Sequence, residues 1–204
     1  SIHNKIMYLF KLYLLIGGMP AAVKEYVQSK NIVKVREIHD DTIKYYGDDA
    51  TKYDFEHKLK IKKIYDLVPS NIENKVKRIQ FKAIENIDDV RYTHYIDEFD
   101  YLLSSGIVLG ANAISEPKFP LIQSSSKNLI KLYMNDIGLL TNLLYKNNVS
   151  SILDDTKGVN LGAVYETVVA QELKSHGHEL FYYDRRKVGE VDYLVDDYNT
   201  LSIL

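Results

Sequence analysis

The spacing of the apolar residues changes along the chain, and this change limits the possible folds more than any other feature. From residue 6 to residue 105 the apolar side chains recur mainly every three or four positions, as on the buried face of a helix. Beyond that point most of the apolar runs are short and β-like. These runs lie at 107–114, 130–134, 180–184, 190–195 and 200–204. The order predicts an α/β (α+β) protein with a mostly helical N-terminal part.

The middle of the chain has the element order of a winged helix. Helices are predicted from Asp54 to Ser70, where Pro69 marks an end, then from Glu73 to Ile84 and from Asp88 to Ser105. The first two β-like runs follow, joined by a polar loop. Three helices followed by a two-stranded hairpin are typical of a winged-helix module.

Three regions follow from this pattern. Residues 1–53 form a helical segment, and residues 54–145 form the winged-helix-like module. Residues 146–204 form a separate α/β unit, which begins with a helix at 159–175 and continues with three strands. The chain starts at Ser1 and stops at Leu204 within an apolar stretch, so we expect it to be part of a longer protein.

Composition narrows the function classes. The 26 basic and 28 acidic residues give a formal charge of −2, so any contact with nucleic acid must be local. Cysteine is absent, which excludes disulfides and cysteine-based zinc sites and favours the cytoplasm.

The apolar run from Ile6 to Met19 is read as a buried helix, because it is too short to cross a bilayer. Gly17-Gly18 is not followed by the GK[ST] of a phosphate-binding loop, so no ATP site is predicted.

Three acidic residues form the first candidate site. Glu166 lies in a predicted helix, while Glu190 and Asp192 share one face of a predicted strand, with Val191 and Tyr193 on the other. Carboxylates are the ligands of Mg²⁺, which assists phosphodiester cleavage. We therefore predict Glu166 and Asp192 as catalytic residues and all three acids as metal ligands. A solvated edge with no metal remains the alternative.

Basic residues between 58 and 82 form the second candidate site. They could contact the phosphates of a nucleic acid, and the selected candidates are Lys60, Lys63, Lys77 and Arg78. The alternative is that these residues are simply solvated helix faces. The third helix of the winged-helix-like module, at the recognition position, is acidic, which favours packing against protein over reading DNA. From Asp89 to Ser105 its charged residues are Asp89, Asp97, Glu98 and Asp100 against Arg91.

Four segments in order carry a family resemblance. They are Tyr13 to Pro20, Lys131 to Leu140, Gly162 to Leu173, and Tyr182-Tyr183 with Gly189-Glu190-Val191-Asp192-Tyr193. Together they resemble the C-terminal region of prokaryotic AAA-type ATPases, catalogued as domain of unknown function 4143.

The resemblance implies an ATPase domain upstream of Ser1, a winged-helix-like middle and a C-terminal module similar to nucleases of the PD-(D/E)xK type. In such nucleases a helix Glu, a strand Asp and a following acid-x-Lys hold the metal. Glu166 and Asp192 match the first two, and the acid-x-Lys would come after Leu204. The resemblance thus implies Mg²⁺ in the full-length protein but neither a cofactor nor catalysis in residues 1–204.

Three functions remain open from the sequence. The first is a Mg²⁺-dependent, nuclease-like or nucleic-acid-associated part of an ATPase. The second is a non-enzymatic module whose tyrosine-rich faces pack against the ATPase domain or another partner. The third is a DNA-binding winged helix. No membrane partner is expected, and the oligomeric state is open.

Overall fold

A computed structural model shows a helical N-terminal part followed by a mixed sheet. It describes residues 1–49, 55–74, 78–88, 90–146, 148–154, 161–185, 188–197 and 200–203. The predicted α+β class is confirmed.

Three helices begin the chain: α1 (Ile2–Ile16), α2 (Pro20–Ser29) and α3 (Ile32–Asp49). Pro20 is the first residue of α2, where its missing N–H costs no hydrogen bond. The prediction of a buried first helix is correct only for the second half of α1. Leu14 and Leu15 are fully buried there, whereas Ile6 and Leu9 in the first half are exposed.

The next helices differ from the sequence prediction. They are α4 (Phe55–Glu73), the short α5 (Lys82–Glu85), a 3-10 turn at Tyr92–His94 and α6 (Ile96–Ser104). Pro69 lies inside α4 rather than at its end. Proline inside a helix costs about 3 kcal/mol. The burial of the neighbouring Val68 and Ile72 offsets that cost.

Strands and helices alternate in the rest of the chain. They are β1 (Val108–Ile114), β2 (Ser125–Met134), α7 (Ile137–Tyr145), α8 (Ser150–Leu153), α9 (Gly162–Ser175), β3 (Leu180–Arg185), β4 (Gly189–Asp197) and β5 (Thr200–Ile203). Asp136 caps α7 by accepting hydrogen bonds from the backbone N–H groups of Gly138 and Leu139.

All five strands form one sheet in the order β2-β1-β3-β4-β5. The predicted hairpin is present as the antiparallel pair of β1 and β2, but β1 also pairs in parallel with β3. The boundary predicted at 145/146 falls between α7 and α8, and strands from both sides of it belong to this one sheet. The strands join because a hairpin on its own leaves unpaired backbone groups along both edges, and β3 pairs with one edge of β1. The main cluster of buried apolar residues extends from Leu14 to Tyr193, and two smaller clusters lie beside it in the described part of the chain.

Two buried polar residues of α3 connect α1 to α7. The Arg36 guanidinium donates hydrogen bonds to the carbonyls of Leu15 and Gly138, at 3.2 and 3.0 Å. Burial lowers the pKa of Arg36 to about 10. The ring of His39 contacts the Ile16 carbonyl at 3.0 Å. Among the described residues, no helix is both long and apolar enough to cross a membrane.

Candidate functional site

The three acidic residues predicted as a site converge on a lysine that the sequence did not single out. Lys131 Nζ lies 3.0 Å from Glu190 Oε1, 3.2 Å from Asp192 Oδ1 and 3.7 Å from Glu166 Oε1. Glu166 comes from α9, the other two acids from β4 and the lysine from β2. A helix and two non-adjacent strands thus supply one charged centre, which we call the Lys131 centre.

Small residues on β1 leave space for the Lys131 side chain to extend along one face of the sheet toward β4. Ala111 is the direct partner of Lys131, and Ala113 is the direct partner of Tyr182 on β3. Directly paired residues lie on the same face of a sheet, so these four side chains share one face. The Lys131 ammonium ends 4.6 Å from the centroid of the Tyr182 ring, within the range of a cation–π contact.

Tyrosine hydroxyls hold Glu166 in place. The Tyr133 hydroxyl donates a hydrogen bond to Glu166 Oε1 at 2.7 Å, and the Tyr193 hydroxyl donates to the Glu166 backbone carbonyl at 2.8 Å. Burial is the main cause that raises the pKa of both hydroxyls well above 10, so they remain protonated donors at neutral pH. The position of Glu166 is therefore fixed.

A β-bulge explains why Tyr193 reaches Glu166. Phe181 pairs with Leu194 and Tyr183 pairs with Val191, so Asp192 and Tyr193 together lie opposite Tyr182. The sequence prediction placed Tyr193 on the other face, with Val191. That prediction was wrong, because the extra residue of the bulge interrupts the strict alternation of faces.

Exposure divides the centre into a buried half and an open half. The side chains of Lys131 and Glu166 are 3% and 7% exposed, whereas those of Glu190 and Asp192 are 42% and 46% exposed. A molecule from solvent would therefore meet the two β4 carboxylates first.

The acidic residues fit a divalent cation only in part. In the stretches covered by the structure, no group of three His, Cys, Asp or Glu side chains is arranged to hold a metal ion. Mg²⁺, however, commonly takes one or two protein carboxylates and completes its shell with water and substrate phosphate. Glu190 and Asp192 fit that role, since both are half exposed and their shared contact with Lys131 brings the two carboxylates close together. Glu166 as a metal ligand stays a prediction, and its Oε1 accepts from Tyr133.

The basic candidates lie in different surroundings. Lys60 on α4 pairs with Glu56 at 2.6 Å and has Glu85 and Glu98 nearby. Lys63 is exposed on the same helix, and Lys77 lies outside the described residues. Arg78 instead forms an isolated antiparallel bridge with Lys131, which places it beside the Lys131 centre.

The helix α6, placed by the sequence at the recognition position of a predicted winged helix, carries mainly acidic charges. Asp97 and Asp100 are exposed on α6, while Glu98 is buried and lies 2.8 Å from His57 Nδ1. Asp89 lies outside the described residues. A phosphate backbone would be repelled from the exposed side of α6.

Lys131 had one signal in the sequence that was not used. It is the single charged residue in the apolar run Ile130 to Met134, which forms the C-terminal half of β2. A lysine inside such a run is rarely buried unless its charge is paired. Its partners could not be identified, because they lie 59 and 61 positions away.

Comparison with known proteins identifies a family. No curated protein and no solved structure matches the chain. A family described as domain of unknown function (DUF8612) matches residues 7–150. The matched part includes Lys131 and Tyr133 and ends before Glu166. Because the match covers more than half of the chain, the chain belongs to the DUF8612 family.

Proposed function

We propose that the Lys131 centre is a nuclease-like site that engages the phosphodiester groups of a nucleic acid. The observation that carries the proposal is the convergence of three carboxylates on one buried ammonium, with two of the carboxylates half exposed. Acidic residues beside a lysine are the groups that the resemblance to PD-(D/E)xK nucleases implies. In line with the same resemblance, we propose that the chain is the non-ATPase region of a cytoplasmic AAA-type ATPase.

Each residue of the centre has a separate role in this proposal. Glu190 and Asp192 would hold Mg²⁺, which when bound supplies polarisation of the phosphate and a lower pKa for an attacking water. Lys131 offers a positive charge to the phosphate oxygens. Glu166 holds the lysine, and Tyr133 and Tyr193 hold Glu166.

Residues 1–204 are proposed to bind nucleic acid rather than to cleave it. The nuclease pattern requires an acid-x-Lys after the strand that carries Asp192, and no such sequence occurs between Tyr193 and Leu204. Binding alone needs only the positive charges and the cation ligands of the centre.

The experiment is a fluorescence anisotropy titration with single- and double-stranded oligonucleotides at two salt concentrations, with and without Mg²⁺. We expect binding that weakens with salt and strengthens with Mg²⁺, and we expect the Mg²⁺ effect to be lost in Asp192→Ala. Asp97→Ala is the control, because Asp97 is an exposed acid on α6. No binding at low salt, or an equal Mg²⁺ effect in both variants, would reject the proposal.

A second function, a protein-interaction module, is favoured by the exposed face of α1. Ile2, Ile6 and Leu9 are 81%, 58% and 55% exposed and follow one another at helical spacing. A row of large apolar side chains on one helix face marks a surface that another protein can cover. Under the resemblance, that protein would be the ATPase domain of the same polypeptide.

Calorimetry between this chain and the separately produced ATPase domain tests the second function. Ile6→Glu combined with Leu9→Glu should abolish heat of binding, while Val188→Glu should leave it unchanged, because Val188 is exposed on another part of the molecule. An equal loss in both variants, or no binding by the wild type, would refute it.

A further inference from the structure

The Lys131 ammonium occupies the position between the carboxylates that a bound cation would take. Its Nζ lies within hydrogen-bond distance of one oxygen each from Glu190 and Asp192, and it donates to both. A divalent cation held by Glu190 and Asp192 would have to displace the ammonium from these two oxygens. Because like charges repel strongly where solvent is restricted, the two cations compete for the same carboxylates.

The tyrosine ring that the Lys131 ammonium contacts carries a hydroxyl that is available to a ligand. Tyr182 is 2% exposed, and its hydroxyl oxygen is buried without a hydrogen-bond partner among the described residues. An unpaired buried hydroxyl costs free energy, which an incoming hydrogen-bond acceptor can recover. Burial raises the pKa of Tyr182 to about 12, so the hydroxyl is available as a donor.

Arg78 adds a second positive charge on the same side. It is paired with Lys131 in an antiparallel bridge, and the neighbouring Ile79 N–H donates to the Ile130 carbonyl at 3.0 Å. Directly opposed residues present their side chains on one face, so Arg78 and Lys131 are neighbours. Arginine, lysine and a tyrosine hydroxyl together match a phosphate group, which accepts hydrogen bonds at several oxygens.

We propose that the Lys131 centre is a substrate-gated cation site. Without substrate, Lys131 neutralises Glu190 and Asp192 and excludes the divalent cation. A nucleic-acid phosphate, bound by Arg78 and Tyr182, draws the ammonium toward itself and releases the two carboxylates to the cation. This inference rests on the proposed function, since it assigns the order in which substrate and cation enter that site.

Mn²⁺ binding, measured by electron paramagnetic resonance, tests the first half of the gate. The wild type should bind Mn²⁺ weakly when nucleic acid is absent. Lys131→Met should bind it tighter by about tenfold or more, because the competing charge is gone. Lys118→Met is the control, since Lys118 is an exposed lysine in the loop between β1 and β2, where it pairs with Glu116 at 2.7 Å. Equal Mn²⁺ affinity in wild type and Lys131→Met would overturn the gate.

Nitrogen-15 NMR of the Lys131 ammonium in the wild type tests the second half and does not depend on the folding of a variant. Mg²⁺ alone should leave the ammonium resonance unchanged. Mg²⁺ with an oligothymidylate whose phosphorothioate linkages resist hydrolysis should shift it. A shift with Mg²⁺ alone, or none with both present, would overturn the proposal.

The two proposals can fail separately. If the oligonucleotide does not bind in the anisotropy titration, the proposed function fails and the gate fails with it. If it binds but Lys131→Met gains no Mn²⁺ affinity, only the gate fails.

Discussion

The Gly18 backbone N–H donates a hydrogen bond to Asp136 Oδ2 at 2.7 Å, which joins two segments 118 residues apart in sequence. The other carboxylate oxygen of Asp136 accepts from the Gly138 N–H at 2.8 Å at the start of α7. One carboxylate therefore caps α7 and fixes the turn between α1 and α2. The two glycines at 17 and 18, which the sequence excludes as a phosphate-binding loop, have a structural role here.

Gly17→Ala should destabilise the protein. Gly17 has a φ of 75° and a ψ of −164°, and a Cβ there would lie 2.0 Å from Asp136 Oδ1. A side chain in this backbone region costs about 1 to 3 kcal/mol before the clash is added. We expect the free energy of unfolding, measured by urea titration, to fall by about 3 kcal/mol.

Gly47→Ala is the matched control for that variant. Gly47 lies near the end of α3, and a Cβ there would meet nothing within 4 Å. Replacing a helical glycine with alanine should stabilise by about 0.5 to 1 kcal/mol. If both variants lost stability equally, the explanation from the Asp136 contact would be wrong.

Stability should fall as the pH drops below about 6.5 because of His39. Burial is the main cause that lowers its pKa; the Arg36 charge lowers it too, while the Ile16 carbonyl, Asp136 and Asp40 act in the opposite direction. The unfolded chain then binds a proton at higher pH than the folded protein. The contribution is complete above the ordinary pKa of about 6.5 and is lost as the pH falls toward the folded value.

Urea unfolding of wild type and His39→Gln at pH 7.5 and pH 5 measures this loss. The wild type should lose more stability than the variant, because glutamine does not titrate and can still donate to the Ile16 carbonyl. His3→Gln should behave as the wild type, since His3 is exposed on α1. Identical losses in wild type and His39→Gln would assign the pH effect to other groups.

Sequence periodicity was sufficient for elements whose packing is decided locally. The run at 107–114 is β1 apart from its first residue, and the run at 180–184 is β3, which continues for one further residue. Periodicity was not sufficient where tertiary contacts decide the backbone conformation. The segment predicted as a helix from Glu73 to Ile84 instead places Arg78 and Ile79 against β2, because that edge offers unpaired backbone groups.

The candidate site could be predicted only in part, because some of its contacts depend on the tertiary structure. Its three acids lie within 27 positions of one another, on a helix and a strand that follow in order. Lys131 and Tyr133 come from a strand on the far side of β1, so their contact with the acids depends on the sheet order. The pairing of β1 with β3 brings the two groups together, and the sequence gives no direct sign of that pairing.

Tyr133→Phe should cost more stability than Tyr193→Phe. Tyr133 donates to the carboxylate of Glu166, whereas Tyr193 donates to its backbone carbonyl. Hydrogen bonds to charged groups contribute about 1.5 to 3 kcal/mol and neutral ones about 1 kcal/mol. We expect losses of about 2 and 1 kcal/mol in urea unfolding. The reverse order would mean that the hydrogen bond from Tyr133 to the Glu166 carboxylate does not make the larger contribution to stability.

Arg78→Ala and Lys63→Ala should separate two modes of nucleic-acid binding. Arg78 is paired with Lys131 beside the acidic residues, while Lys63 is exposed on α4. If the Lys131 centre binds the phosphates, Arg78→Ala should weaken oligonucleotide binding and reduce the slope of log K against log salt by about 0.7 to 0.9, the effect of one lost phosphate contact. Lys63→Ala should leave the slope unchanged. Should Lys63→Ala reduce the slope and Arg78→Ala not, the basic face of α4 would be the binding surface, and the winged-helix hypothesis would replace the one based on the Lys131 centre.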